Sequence, residues 1–275
     1  MSWPISRALA VLAFGAATLA WSAAALAFDH TYAAWDALLK HHVHYLPGGN
    51  ASRVDYAGIV RDRAAFDAVI EADEKVMRAE FDAWDAPQRE AFLINAYNAF
   101  TIEKVLTRYP GLRSIRDFGS IFGNPWKDKF FTLFGEPAYL DRIEHEMLRK
   151  PGAFDEPRVH VAVVCASVGC PMLRNEPYLP GRLDAQLEDA MRRFMADRSR
   201  NRYDPASGKL LVSKIFDWYG KDFEHGYHGY TSVKATLGRY ADLLAERPAD
   251  RAAVRDGRVD VDFLDYDWSL NDIAR

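Results

Sequence analysis

Apolar positions recur at helical spacing through most of the chain, and short β-branched runs interrupt them. Over 31–45, Tyr32, Trp35, Leu38, Leu39 and Val43 predict an amphipathic helix, with His41, His42 and His44 in a last turn where the helix dipole favours imidazoles. A polar helix is predicted over 61–76 and a longer one over 88–108. On the longer helix Ala91, Asn95, Asn98, Ile102 and Val105 share one stripe. Two amides on an apolar face must be hydrogen-bonded, because a buried amide left bare costs about 1–3 kcal/mol. Either they clamp loop backbone, or one of them lines a pocket and polarises a substrate carbonyl.

Residues 129–134 alternate as a strand does, and Gly135, Glu136 and Pro137 turn it. The next helix, 139–149, has Leu140, Ile143, Met147 and Leu148 on its apolar face, with Glu144 inside the same stripe. His145 flanks that stripe, and Asp141 at i−4 is spaced to orient its imidazole. The run 159–164 predicts a buried strand that delivers Cys165 and Cys170, the only two cysteines, through the small-residue loop 166–169. Helices over 183–195, 215–223 and 231–244, a strand over 209–212 and a closing edge strand over 259–263 complete the prediction. Asp260, Asp262, Asp265 and Asp267 lack the Gly and final Glu of a calcium loop, so they read as a solvated face. The class is α+β: one mostly helical domain around a small, largely antiparallel sheet.

Residues 1–27 change the picture of where this domain begins. Arg7 precedes an apolar stretch, and Ala25, Leu26 and Ala27 form a small-x-small cleavage pattern. They predict a signal peptide and a mature domain over 28–275, with a retained anchoring helix as the alternative. Removing Arg7 takes the formal charge from −4 to −5, which argues against a nucleic-acid binder. No later segment is apolar enough to span a bilayer, so the expected product is periplasmic or secreted, without stable membrane insertion.

The segments FLINAYNAFTI (92–102), YLDRIEHEMLR (139–149), RVHVAVVCASVGCPMLRNEPY (158–178), LVSKIFDWYGKDF (211–223) and YDWSLN (266–271) together resemble one family, the domain of unknown function 547 (DUF547). The resemblance implies an α+β domain likened to papain-like thiol hydrolases, with glutathione or small peptides as substrates.

Three chemistries fit the two sulfurs. They can form a disulfide that closes a tight loop, as an oxidising compartment allows. One can be a thiolate nucleophile, with Cys170 placed before Pro171 like a helix N-cap before N1. Zinc comes last, because the CxxxxC spacing is wrong for a structural finger. For the thiolate, His145 is the expected base, Asp141 or Glu144 its orienter, and Asn95 or Asn98 the group near the oxyanion. His160 lies about 16 Å from Cys165 along a strand and on the opposite face, so a core hydrogen bond or the pocket wall is its expected place. The expected function is a thiol-dependent amide hydrolase for a small peptide, needing no metal or cofactor. The alternative is a non-catalytic envelope protein that binds a small ligand and carries a Cys165–Cys170 disulfide.

Overall fold

The computed structural model describes residues 27–119 and 124–274. The leader up to residue 26 and residues 120–123 lie outside them. Helix α1 (Ala33–His42) leads directly into strand β1 (Val43–Tyr45), which pairs antiparallel with β2 (Ser52–Val54). His44 therefore belongs to a strand and not to the last turn of the helix. Helices α2 (Tyr56–Arg61), α3 (Arg63–Lys75) and α4 (Arg78–Ala83) follow. Asp55 caps α2 by accepting the Gly58 N–H at 2.7 Å, so β2 stops at Val54.

Helix α5 (Ala86–Leu106) runs through the middle of the fold. Asp85 and Gln88 form its capping box, and Pro87 sits in its first turn. From Glu90 to Leu106 only Glu103 escapes burial, as befits a helix that is apolar almost all round. One side packs on Phe131, Leu140, Ile143 and Val159, and the other on Tyr56, Phe66, Leu173 and Leu270. Asn95 and Asn98 clamp loop backbone. Asn95 donates to the Tyr178 carbonyl at 2.8 Å and accepts from its N–H at 2.9 Å. Asn98 donates to the Ala162 carbonyl at 3.0 Å and accepts from the Val164 N–H at 2.9 Å.

After the β3–β4 hairpin (Phe131–Leu133, Glu136–Ala138) comes a π-helix, Arg142–Leu148. Its C-terminal cap, the Arg149 N–H, reaches back five residues to the Glu144 carbonyl. Turns of this kind are frequent at functional sites. The run 159–164 is not a strand. Pro157–Val161 form a 3₁₀ turn, started by Glu156, whose carboxylate accepts the Arg158 N–H at 2.9 Å. A fully buried apolar run reads alike as strand or helix. Here its side chains are shared among three core clusters, so no flat edge is left to pair.

Helix α6 (Leu183–Ala196) leads to a three-stranded sheet. In it β5 (Arg202–Asp204) pairs antiparallel with β6 (Lys209–Val212), and β6 pairs parallel with the edge strand β7 (Asp260–Phe263). Short helices α7 (Ile215–Trp218), α8 (Val233–Arg239), α9 (Ala241–Leu244) and α10 (Pro248–Arg255) pack beside it. The fold is α+β as expected. Among the described residues the strands form three small separate sheets in place of one, because every one of these strands is three or four residues long. Among the described residues no helix is long and apolar enough to cross a membrane.

Residues 266–271 cross the cysteine loop as a strap. The Val168 N–H donates to the Ser269 carbonyl and the Gly169 N–H to the Asp267 carbonyl, each at 2.8 Å, and Ser167 bridges Leu270. A Cβ on Gly169 would lie 2.9 Å from the Asp267 nitrogen, so only glycine lets the strap lie this close. Ala166, directly after Cys165, is held at φ 61°, a conformation that costs a non-glycine residue about 1–3 kcal/mol.

Candidate functional site

A cleft of about 310 Å³ opens over the cysteine loop. Its lining brings together Cys165, Cys170, Asp141, Glu144, His145 and His160, every one of them expected at a site from the sequence. Asn95 and Asn98 are not among the lining residues, and both amides are taken by backbone partners. The π-helix contributes Glu144 and His145 and its N-cap Asp141, the 3₁₀ turn His160, and the strap Tyr266 and Trp268. Trp126, Trp218 and Tyr219 complete the aromatic walls.

Cys165 and Cys170 are joined as a disulfide. The Tyr266 hydroxyl spans the pair: it donates to Cys170 Sγ at 3.1 Å and lies 3.2 Å from Cys165 Sγ. The Cys165 N–H also points at Cys170 Sγ, at 2.9 Å. Cys165 is partly open to the cleft, whereas Cys170 is buried. No helix starts at Pro171, so Cys170 is not an N-cap.

The two histidines are wired differently. His145 Nδ1 accepts from Arg149 Nη1 at 2.7 Å, because a guanidinium can only donate. Its proton therefore sits on Nε2, which lies 3.7 Å from Asp141 Oδ1. His160 is buried and holds Asp222 through Nε2 at 2.8 Å, while its buried Nδ1 has no hydrogen-bond partner. Its ring stacks on Tyr219 with centroids 4.0 Å apart. Since 157–161 coils, the separation and opposite faces expected for His160 and Cys165 on a strand do not apply. Both side chains line the same cleft.

The charges follow from these contacts. Burial pushes the His160 imidazole below its ordinary pKa, with the Asp222 hydrogen bond pulling the other way. Burial also opposes the Asp222 carboxylate, but the His160 bond and Arg149, paired to it at 2.6 Å, outweigh that and hold its pKa low. Asp141 is raised, by burial first; His145 counteracts this and Glu144 adds to it. Burial, and then the Glu144 carboxylate, push Tyr97 and Tyr219 well up, so both phenols stay protonated; the Tyr97 hydroxyl donates to Glu144 at 3.0 Å.

Sequence reasoning missed Asp222, Arg149 and Tyr266. Arg149 stands at i+4 from His145, and Asp222 sits in the aromatic segment 215–223, but neither spacing identifies a partner across the fold. Among the described residues one group of possible metal ligands clusters, His41, His42 and Asp62, within 4.8 Å of one another; His44 does not join it.

No curated protein and no solved structure matches the chain. Residues 81–195 match the model of a family described as Protein of unknown function, DUF547. The match takes in α5, the π-helix and the whole cysteine loop, and stops short of Asp222 and the strap. Over residues 81–195, then, the chain is similar to the DUF547 family.

Proposed function

We propose that the cleft is the site of a thiol-dependent amide hydrolase for small peptides, held latent while Cys165 and Cys170 are bonded. The observation that carries this reading is that His160, backed by Asp222, lines the same cleft as the sulfur pair. The carboxylate fixes the proton on Nε2 and leaves Nδ1 as a lone pair without a partner. His145, whose Nδ1 is already accepting from Arg149, suits the role of donor better than that of base. The likeness to papain-like enzymes lies in this chemistry and is not carried by the fold.

The cycle begins when a dithiol reductant passes two electrons and two protons to the disulfide, giving two thiols and an oxidised reductant. His160 Nδ1 takes the Cys165 proton, and the thiolate attacks the substrate carbonyl carbon. The C–N bond breaks, the amine leaves with the proton from the imidazolium, and a thioester remains. Water, deprotonated by the same nitrogen, hydrolyses the thioester and restores the thiol. His145 Nε2–H and the Tyr266 hydroxyl, both on the cleft lining, are the donors proposed for the developing oxyanion. Closing so short a loop adds only about 2 kcal/mol of stability by the chain-entropy relation, so the strap and core hold the site when the bond opens.

The expected result is amide hydrolysis, followed by amine release from a small-peptide panel including glutathione, that appears with dithiothreitol and is absent in the oxidised protein. Loss of that activity in Cys165→Ala completes the test. A reduced, folded protein that cleaves nothing would remove the hydrolase. The bonded pair itself favours the second reading, a stapled binding protein whose cleft only holds a ligand.

Export is part of the proposal. It is supported by the leader pattern and by a disulfide that suits an oxidising compartment. Phe28, the expected first mature residue, donates its N–H to Glu80 at 3.0 Å, and its ring packs against Trp84 and Phe92. Intact-mass measurement of protein recovered from the periplasm or medium is expected to give a chain starting at Phe28. An uncleaved chain retained in the cytoplasm refutes export.

A further inference from the structure

The cleft over the sulfur pair is lined by two carboxylates, Asp141 and Glu144, and among the described residues lining it there is no Lys or Arg. Of its cationic neighbours, Arg149 is held by Asp222 and His145, Arg116 lies over the Trp268 ring at 5.3 Å and leaves Trp218 and Trp126 as the indoles without it, and Lys127 reaches Asp141 only through its field. Asp141 Oδ2 accepts from Asn124 at 3.2 Å, while Oδ1 stands 3.7 Å from His145, beyond hydrogen-bond range. That leaves an acceptor on a side chain only 11% exposed. The rest of the wall is aromatic. Trp218 stands at the mouth, 46% exposed, with its ring 4.9 Å from Tyr266 and 5.7 Å from Trp268. Large aromatics are rarely left open, and an acidic cleft walled by indoles attracts a cation through both its charge and its ring faces.

We infer that the cleft selects ligands carrying a free, protonated amino group, namely amino-acid amides and short peptides entering by their amino end, with Asp141 as the principal acceptor and the indoles as the platform. The inference rests on the proposed hydrolase for its reaction, though not for its binding. It narrows the substrate class. Blocking the amine removes the charge the carboxylates attract. A ligand bearing extra carboxylates, as glutathione does, meets repulsion from Asp141 and Glu144.

Calorimetric titration of the oxidised protein with phenylalaninamide and with N-acetylphenylalaninamide tests this without turnover. The free amine is expected to bind about tenfold more tightly, a difference of about 1.4 kcal/mol. In Asp141→Asn, nearly isosteric, the preference is expected to fall to about threefold or less, as loss of one charge-assisted contact implies. Equal binding of the two compounds, binding of neither, or an undiminished preference in Asp141→Asn would overturn the inference. The two readings fail separately. A preference for the amine in a protein that cleaves nothing on reduction leaves the amine site and removes the hydrolase. Hydrolysis of blocked and free peptides at equal rates does the opposite.

Discussion

Replacing His160 with Gln is expected to lower the reductant-dependent hydrolysis of a small peptide by about 10²–10⁴-fold, the span of a lost general base. Gln is close in length and can still reach Asp222, so the turn 157–161 should hold and the urea midpoint should move little. Asp222→Asn is expected to fall in the same range for a different reason. An amide no longer enforces the proton on Nε2, so Nδ1 ceases to be the lone pair. The pH profile separates a base from a packing residue. The neutral imidazole is the working form, and burial holds its pKa below the ordinary value of about 6.5. The acid limb of the rate should therefore lie below pH ~6.5, with activity rising as pH increases through it. His145→Gln should leave that limb in place while reducing turnover, since its Nδ1 already accepts from Arg149. If His145→Gln removed the limb and His160→Gln kept it, the assignment of the base would be reversed.

Arg158→Ala is expected to destabilise the protein by about 3–5 kcal/mol, the cost of stranding one member of a buried ion pair. The Arg158 and Glu156 side chains are only 5% and 4% exposed. Nε and Nη2 bond the two Glu156 oxygens at 2.8 and 2.7 Å, and Nη2 also reaches Asp184 at 2.6 Å. Without the guanidinium, the Glu156 carboxylate keeps only the His228 imidazole beside it, at 3.1 Å. Urea unfolding followed by tryptophan fluorescence gives the loss directly. A double variant, Arg158→Met with Glu156→Leu, should recover most of it, because burying two apolar chains avoids the desolvation that an unpaired charge cannot. A single-variant loss under about 1 kcal/mol, the usual worth of a surface pair, would show that the pair is solvated.

Much of this architecture was legible in the residues. The stripe on α5 located the central helix to within two residues at each end, and the amides on it clamp backbone, one of the two roles their burial required. Glu144, a carboxylate in an apolar stripe, pointed at the cleft. What periodicity could not supply was the state of the run 159–164, because total burial removes the polar face that distinguishes a strand from a turn of helix. The error propagated: a straight strand kept His160 from Cys165, and a coiled one puts both on one cleft. Asp222, Arg149 and Tyr266 stayed hidden because their roles are defined by partners far away in sequence, 62 residues for His160 with Asp222 and 96 for Tyr266 with Cys170. The π-helix was equally silent, since one extra residue per turn barely disturbs an apolar pattern.

Translation order gives the strap a meaning of its own. The cysteines leave the ribosome roughly a hundred residues ahead of Tyr266, a gap of five to twenty seconds at ordinary elongation rates of about 5–20 residues per second. Through that interval the sulfurs have neither the hydroxyl that spans them nor the backbone that covers their loop. The nascent chain thus carries an unfinished centre, and competence arrives only with residues 266–271.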